Sequence, residues 1–591
     1  MAERKILLGN EAIAYGLIEE GCRIAASYPG TPASEIMGTL VRLKDSESIE
    51  WLHVEWSINE KVAFETALAG AYSGLRSAVM MKQVGLNVAS DPLMSAAYTG
   101  VKGGFTIISA DDPGPHSSQT EQDSRFYAML AKIPVLDPSS PEEAKNMVST
   151  AFATSEKYEI PVMIRPTTRV CHARQDVIVK GYQHVETKSP TFEKNPSRWA
   201  ATPKFRFLLH KQLNEKLREI ASANEISIPG NGSTTCILAS GVAWANAKEV
   251  MDELNLHDRV HLIKVNMPYP LPDSFLKTVL NAHQKVLVLE ETYPVIEYQF
   301  RDRQKVSGRL DGTVPSQGEL LPEKIEDIIR SWLGIEQAKR PVPEDLPTRR
   351  PTLCPGCGHR PVFYAIRKVF PKGIYPGDIG CYTLGINIGA VDTVLCMGAS
   401  IAQAAGFFHS FNGNDKMPPI VATIGDSTFF HAGIPPLING VVQGARFVLV
   451  ILDNRTTAMT GHQPIPPISI ENMVRACGVE FVRVADPYDL KSLEEILKEA
   501  GKYAFEDKKG IAVVIARKPC RMDRRAQHRF PEIEVFITDE CNGCGYCVER
   551  FECPAISLPK KKEPAVIDPV LCVRCGVCVD VCPFEAIGVK K

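Results

Sequence analysis

The 591-residue sequence has no excess of either charge: 67 Lys and Arg against 69 Asp and Glu leave a formal net charge of −2. Gripping phosphate backbones or an anionic membrane surface needs a pronounced basic face, so neither nucleic acid nor membrane is expected as a partner. No apolar run approaches the roughly 20 residues that span a bilayer. Even FVLVIL at 447–452 is short and is closed by Asp453. The opening MAERKILLGNEAIAYGLIEE carries charges at both ends and no apolar stretch leading to a small-residue cleavage site. No secretory signal is expected, and a cytoplasmic setting is. Short tandem repeats of the solenoid kind are also missing.

What is there is an ordinary globular composition, 44% hydrophobic and 23% charged, in a chain long enough for several cores. Seventeen cysteines, many crowded into CxxC spacings, do not suit a disulfide framework in a cytoplasmic protein. They point instead to metal or cluster ligation.

Helical patterns alternating with apolar strands such as SAVMMK, FTIISA and PVMIRP mark residues 1–175 as a parallel α/β domain. A polar connecting segment with a Lys/Glu-rich helical piece follows at 176–232. Strands TCILAS, HLIKVN and KVLVLEE define a second α/β domain at 233–334, and the proline-dense KRPVPEDLPTRRP places a linker at 335–350. The most strongly buried strands, PIVATIGD and ARFVLVILDN, lie in a third α/β domain at 351–522. A tail at 530–591 holds eight cysteines in a stretch too short for a self-sufficient apolar core, so bound clusters are expected to hold it together.

The tail reads CNGCGYCVERFECP and CVRCGVCVDVCP. Three thiolates at two-residue intervals can wrap one face of an iron-sulfur cube, and in the two-cluster ferredoxins that this tail resembles the distant Cys-Pro serves the other cluster. Cys541, Cys544 and Cys547 are therefore expected to pair with Cys582, and Cys572, Cys575 and Cys578 with Cys553. The first motif departs from the usual spacing, with five residues rather than three before Cys553. Zinc knuckles are the alternative, although zinc ligands usually come as separated CxxC pairs.

IGDS at 424–427 and LDNRT at 452–456 flank an apolar strand. Two parallel strands ending side by side can offer Asp426, Asn454 and the Thr456 carbonyl to a Mg²⁺ ion shared with diphosphate oxygens. A strand-end Asp that merely caps the next helix is the plainer reading. The remaining constellation is CPGCGH at 354–359, with Cys381 and Cys520 further on; a zinc site, or free thiols with glycines alone touching a ligand, are open alternatives to a cluster. Cys22, Cys171, Cys236, Cys396 and Cys477 lack partners at ligand spacing and are expected to be buried apolar thiols. His359 is expected to serve the cofactor loop or polar packing, and the polar stretch 111–126, with His116, Ser117, Ser118, Gln119 and Arg125, to offer a substrate-facing wall.

Together these motifs resemble the thiamine-dependent 2-oxoacid:ferredoxin oxidoreductases over nearly the whole chain, most of all the large alpha subunits of the indolepyruvate type. Ser427 and Asp453 replace a Gly and an Asn of the usual thiamine motif, while TGHQ at 460–463 is similar to the family's TGGQ. The resemblance implies a multidomain α/β protein: thiamine-diphosphate-binding parallel domains, a transketolase-C-like second domain and a C-terminal two-cluster ferredoxin-like domain. It assigns Gly356, Gly358, Gly380, Gly425 and Ser427 to the cofactor beside the Mg²⁺ ligands, and Cys354, Cys357, Cys381 and Cys520 to a third, proximal [4Fe-4S] cluster. SYPGTPASEI puts Thr31 near the substrate, and WSINEKVAFE gives Glu60 the task of bonding pyrimidine N1′ of thiamine, the step on which proton removal at its reactive carbon depends. A helix-start acid favoured by the helix dipole would equally explain an isolated Glu60. The implied reaction is oxygen-sensitive oxidative decarboxylation of arylpyruvates with CoA, giving an aryl-acetyl-CoA, CO₂ and reduced ferredoxin. A smaller, gamma-domain-like beta subunit is the implied partner in an α2β2 assembly. Other 2-oxoacids, a non-oxidative thiamine decarboxylase and a pure electron-transfer subunit are the alternatives.

Overall fold

The computed structural model describes residues 3–182, 189–200, 202–228, 232–341, 350–411, 413, 417–526, 533–560 and 562–590. They belong to two compact units, Met1–Pro343 and Glu344–Lys591. Most of the linker expected at 335–350 lies outside the described residues.

The first unit is built on a six-stranded, wholly parallel sheet in the order His53–Trp56, Ile24–Ser27, Ser77–Lys82, Phe105–Ala110, Val162–Ile164, Val135–Leu136. Helices cover both faces, which is why its strands read as near-continuous apolar runs. Alternate residues serve opposite cores: Ala78, Met80 and Ile108 pack on one side, Val79, Met81 and Ile107 on the other. A second parallel sheet, His261–Lys264, Thr235–Ala239, Lys285–Leu289 and Val306–Ser307, follows in the same unit. The stretch 176–232 is more than a tether. Its helix Pro203–Ala223 sends Leu213 and Ile220 into the core under the first sheet.

The second unit carries a four-stranded parallel sheet, Val421–Gly425, Val448–Asp453, Ala512–Arg517 and Phe481–Ala485 in spatial order. Here too Val448, Val450 and Leu452 face one core and Leu449 and Ile451 the other. The tail adds two antiparallel ribbons, Glu534–Ile537 with Ile587–Lys590 and Ile556–Ser557 with Val566–Ile567. Its apolar residues do not stand alone, because Val535, Phe551, Ile556 and Val577 join the core that holds Val362 and Val450.

One expectation for the 111–126 stretch is overturned. Arg125 is fully buried, bonded to Asp123 at 2.6 Å and lying 3.3 Å from Glu290, so it is unavailable to a substrate carboxylate. Arg165, with Asp111 at 2.7 Å, extends the same ionic core. Two guanidiniums are thus matched against Asp111, Asp123, Asp137 and Glu290, a surplus of acid. Cys396 likewise departs from expectation by being exposed, whereas Cys22, Cys171, Cys236 and Cys477 are buried.

Burial pushes Glu290 up to about 7 against the opposing pull of Arg125. A carboxyl whose folded pKa exceeds its unfolded value binds its proton more tightly in the native state. Its stabilisation is therefore complete below the unfolded pKa of about 4.3 and is lost as pH rises through the folded value. Glu290→Gln, which cannot titrate, is expected to flatten the fall in melting temperature between about pH 5 and about pH 8 relative to the parent. A fall of equal size in parent and variant would refute this assignment.

Candidate functional site

In the second unit the strand Val421–Gly425 ends directly at Asp426, and the neighbouring strand Val448–Asp453 ends at Asn454. Their parallel pairing places Gly425 opposite Leu452, so the two carboxyl ends lie side by side. Asp426 is buried and accepts the Ser427 N–H at 2.7 Å on Oδ1, and the Asn454 and Arg455 N–H groups at 3.1 and 2.7 Å on Oδ2. Arg455 adopts a left-handed backbone, φ 66°, which turns these amides toward the carboxylate. Three N–H bonds would ordinarily depress a carboxyl pKa, yet Asp426 is pushed up to about 8 by burial and by the adjacent Asp453. Asp453 Oδ1 is itself buried without a hydrogen-bond partner. Asp453 is balanced by Arg517, bonded to its Oδ2 at 2.5 Å, and by Arg455, 3.6 Å from Oδ1, whereas Asp426 has no side-chain cation bonded to it among the described residues and fits a site completed by a hard cation.

Asn454 Oδ1 accepts the Thr456 N–H at 3.1 Å, and its Nδ2 lies 3.4 Å from His359 Nε2. Burial holds His359 down to about 4, so it is neutral near pH 7. Ser427 and Thr457 are joined hydroxyl to hydroxyl at 3.0 Å, which ties the two strand-end loops together. The TGHQ turn closes over them: the Thr456 hydroxyl donates to the Gln463 carbonyl at 3.1 Å, and Thr460 to Gln463 Oε1 at 2.7 Å. The glycines have packing reasons of their own. A Cβ at Gly380 or Gly425 would strike the Tyr382 ring at 2.3 or 2.4 Å, and one at Gly358 would meet Lys518 Cβ at 2.8 Å. Tyr382 in turn bonds the Ile379 carbonyl at 2.6 Å and Thr428 at 2.7 Å.

The cysteines fall into three groups. Cys541, Cys544, Cys547 and Cys582 line one small pocket with Ile537 and Ala565. Cys553, Cys572, Cys575 and Cys578 line another with Val535 and Phe551. Membership matches the crossed pairing expected from the motifs, including Cys553 with its long spacing. In the third group Cys381 feels the charge of Cys520 and Cys354, and Cys357 that of Cys381 and Cys354. Burial pushes Cys357 up to about 12 and Cys547 to about 11, so as free thiols both are protonated and inert. Among the described residues no three His, Cys, Asp or Glu side chains close on one point as the ligands of a single ion do. A cube spreads its four thiolates more widely, and walls of thiol and hydrocarbon with no carboxylate suit it.

In the first unit Glu60 opens the helix Glu60–Tyr72 and is buried. The Asn59 side chain caps that helix by accepting the Val62 N–H at 2.9 Å, so Glu60 is not needed as its cap. Sequence patterns gave no signal for Gly85, whose missing Cβ would lie 2.6 Å from Glu60 Oε1 and 2.7 Å from its Cγ. Only a glycine lets the short helix Gln83–Val88 approach this carboxylate so closely. Thr31 receives a 3.5 Å contact from the Ser117 hydroxyl on its carbonyl. Lys82, at the end of its strand, donates to the Ser117 carbonyl at 2.6 Å and is pushed down to about 8 by burial. Nothing in its spacing singled it out.

Comparison with known proteins covers most of the chain. Residues 15–217 match the family model "Pyruvate flavodoxin/ferredoxin oxidoreductase, thiamine diP-bdg", residues 378–516 "Thiamine pyrophosphate enzyme, C-terminal TPP binding domain", and residues 565–588 "4Fe-4S binding domain". The chain is 41% identical to the indolepyruvate oxidoreductase subunit IorA of Archaeoglobus fulgidus, with 100% of this chain and 98% of that protein aligned. It is 39% identical to the protein of the same name from Thermococcus kodakarensis, over 100% of this chain and 97% of that one. Among solved structures, 2-oxoglutarate:ferredoxin oxidoreductase from Magnetococcus marinus superimposes with a TM-score of 0.45 at 16% identity, covering 56% of this chain and 65% of that one.

The grouping of the tail cysteines is open to direct test. Cys582→Ser and Cys541→Ser are expected to lose one and the same cluster component in electron paramagnetic resonance spectra, with roughly four fewer iron atoms per chain. Cys553→Ser and Cys572→Ser are expected to lose the other. Loss of one component by both Cys582→Ser and Cys572→Ser would contradict the grouping.

Proposed function

The chain belongs to the family of the indolepyruvate oxidoreductase subunit IorA, and from that premise we propose that it is the large catalytic subunit of an arylpyruvate:ferredoxin oxidoreductase, acting on indolepyruvate, phenylpyruvate and 4-hydroxyphenylpyruvate with CoA. Its thiamine-binding and 4Fe-4S matches supply the two chemistries such an enzyme combines. The observation that carries the reading is their coexistence in one chain: a buried Asp426–Asp453 pair at paired strand ends, and cysteine quartets around cavities in the same unit. A non-oxidative decarboxylase would have no use for the quartets, and a pure electron carrier none for the strand-end acids.

Thiamine diphosphate, when bound, supplies a nucleophilic carbon for the keto group and a sink for the electrons left by departing CO₂, and the clusters carry those electrons singly to ferredoxin. In this proposal Glu60 holds the proton at N1′ of the aminopyrimidine, which sets the tautomer that can take up the proton from the reactive carbon. Gly85 keeps the space that fixes that carboxylate. Asp426, Asn454 and the Thr456 carbonyl hold Mg²⁺ against the diphosphate, with the backbone at Gly425, Ser427, Gly380, Gly356 and Gly358 around it. Thr31 lies at the substrate end. Cys354, Cys357, Cys381 and Cys520 take a proximal cluster, and the two tail quartets take one each.

We also adopt the partition into a pyrimidine-type domain at 1–175, a transketolase-C-like domain at 233–334, a diphosphate domain at 351–522 and a ferredoxin-like tail at 530–591. The subunit designation of the relatives supports a partner chain, taken here as a smaller beta subunit in an α2β2 assembly. No helix among the described residues is long and apolar enough to cross a membrane, and the enzyme is assigned to the cytoplasm.

The direct test is anaerobic co-expression with the small subunit, followed by CoA-dependent viologen reduction with indolepyruvate, phenylpyruvate and pyruvate in parallel. A preference for the aryl substrates is expected, and equal inactivity with all three would remove the enzyme reading. Glu60→Gln is expected to cut turnover at least ~100-fold while leaving the iron-sulfur absorbance unchanged. Gly85→Ala is expected to fold, to bind thiamine diphosphate in calorimetry, and yet to lose roughly 100-fold in kcat because the carboxylate must shift by about 1 Å. Normal turnover in either variant would discard the role given to Glu60.

A further inference from the structure

Arg360 stands in the first turn of the helix His359–Val369, directly after the CPGCGH loop, and is only 2% exposed. Its guanidinium donates to backbone carbonyls on two sides. Leu353 and Cys354 accept it within the loop of the proximal quartet, the latter at 3.3 Å, and Phe551 and Glu552 accept it in the tail, the former at 3.2 Å. Nε is buried without a hydrogen-bond partner. No side-chain carboxylate is hydrogen-bonded to the guanidinium among the described residues, and Glu552, whose charge it feels, is itself bonded to Arg350. The carbonyls that accept it belong to or adjoin Cys354 of one quartet and Cys553 of the other.

The two quartets are also in contact through their loops. A Cβ on Gly356, between Cys354 and Cys357, would come within 2.4 Å of Val573 Cγ2, between Cys572 and Cys575. Tyr488 donates to the Gly356 carbonyl and feels the charges of Cys575 and Cys357 together. A lone buried guanidinium is costly unless opposite charge lies near it. Carbonyl dipoles supply part of what is needed. The rest is available only where thiols become thiolates, and a four-iron cube with four thiolates is a net anion.

From this we infer that Arg360 is the shared counter-cation of the proximal quartet and the Cys553 quartet: a positioning residue that raises the reduction potentials of both and holds their two loops in register. The inference rests on reading the quartets as cluster sites. A positive charge stabilises the more negative, reduced form, so its removal lowers the potential of each flanking cluster. The Cys541 quartet makes no contact with Arg360 in any of these bonds and serves as the internal reference.

The test uses the complete, anaerobically purified holoenzyme with its small subunit, and reads each cluster separately in a redox titration followed by electron paramagnetic resonance. In the parent, three resolvable clusters establish the premise; absence of iron and acid-labile sulfide from the parent would sink the cluster reading itself, whatever the variants do. Arg360→Met is expected to shift the reduction equilibrium of the two flanking clusters roughly tenfold toward the oxidised form, about 59 mV for a one-electron couple, and to leave the third where it was. Arg360→Lys, which keeps the charge but forfeits the planar fork, is expected to shift the same two by less. Should the Met variant fail to retain iron, the Lys variant decides alone. Unchanged potentials, or an equal displacement of all three clusters, would overturn the role given to Arg360.

Discussion

Asp426 is buried in the second unit beside Asp453, and the guanidinium at hand, Arg517, is taken up by Asp453, so no side-chain cation is bonded to Asp426 among the described residues. Two thiol quartets line pockets walled by hydrocarbon. A folded chain tolerates such arrangements only by keeping the groups protonated, at a cost in hydration, or by handing their charge to a cation. The sheet and its helices provide the rigid frame that makes either outcome local. Paired strands Val421–Gly425 and Val448–Asp453 fix the acids, and the helix His359–Val369 fixes the loop of the proximal cysteines.

The first unit handles buried charge in two contrasting ways. Around Arg125 and Arg165 every guanidinium meets carboxylates at bonding distance, and the surplus acid is absorbed as raised pKa values at Asp111 and Glu290. That cluster is internally satisfied and inaccessible, and it joins residues of the first sheet to Glu290 after the second sheet's strand Lys285–Leu289. Glu60 is different. Its helix is capped by a neighbour, and a glycine lets the short helix Gln83–Val88 pack directly against its carboxylate, so its placement is not explained by capping. Close backbone packing fixes where that carboxylate can point.

Much of this was legible in residue order. Apolar runs such as 77–82 and 448–453, polar only at their end residues, announce strands buried on both faces. The grouping of the tail cysteines around two pockets agrees with the pairing that the two-cluster ferredoxin pattern implies for a CxxCxxC motif followed by a distant Cys. Arg125 misled for the opposite reason: within a polar stretch its neighbours suggest a surface loop, while Asp137 and Glu290, which join Asp123 around it, lie outside that stretch. Gly85, Lys82 and Arg360 were invisible for the same cause. Each draws its meaning from an atom contributed by a distant segment.

Glycines in a motif are ambiguous between room for a ligand and room for a neighbour, and here several are of the second kind. Gly380 and Gly425 both pack against the ring of Tyr382, which also bonds Thr428, two residues beyond Asp426. Gly356 accommodates Val573 of the tail. The loop that carries the proximal cysteines is therefore also the surface on which the second quartet rests, reinforced by Arg360 and by the edge-on packing of Tyr364 against Phe551. A tail of this size, with its apolar residues merged into the core of the sheet domain, is not an independent module on a string. Its position relative to Cys354 and Cys357 is set by side-chain packing.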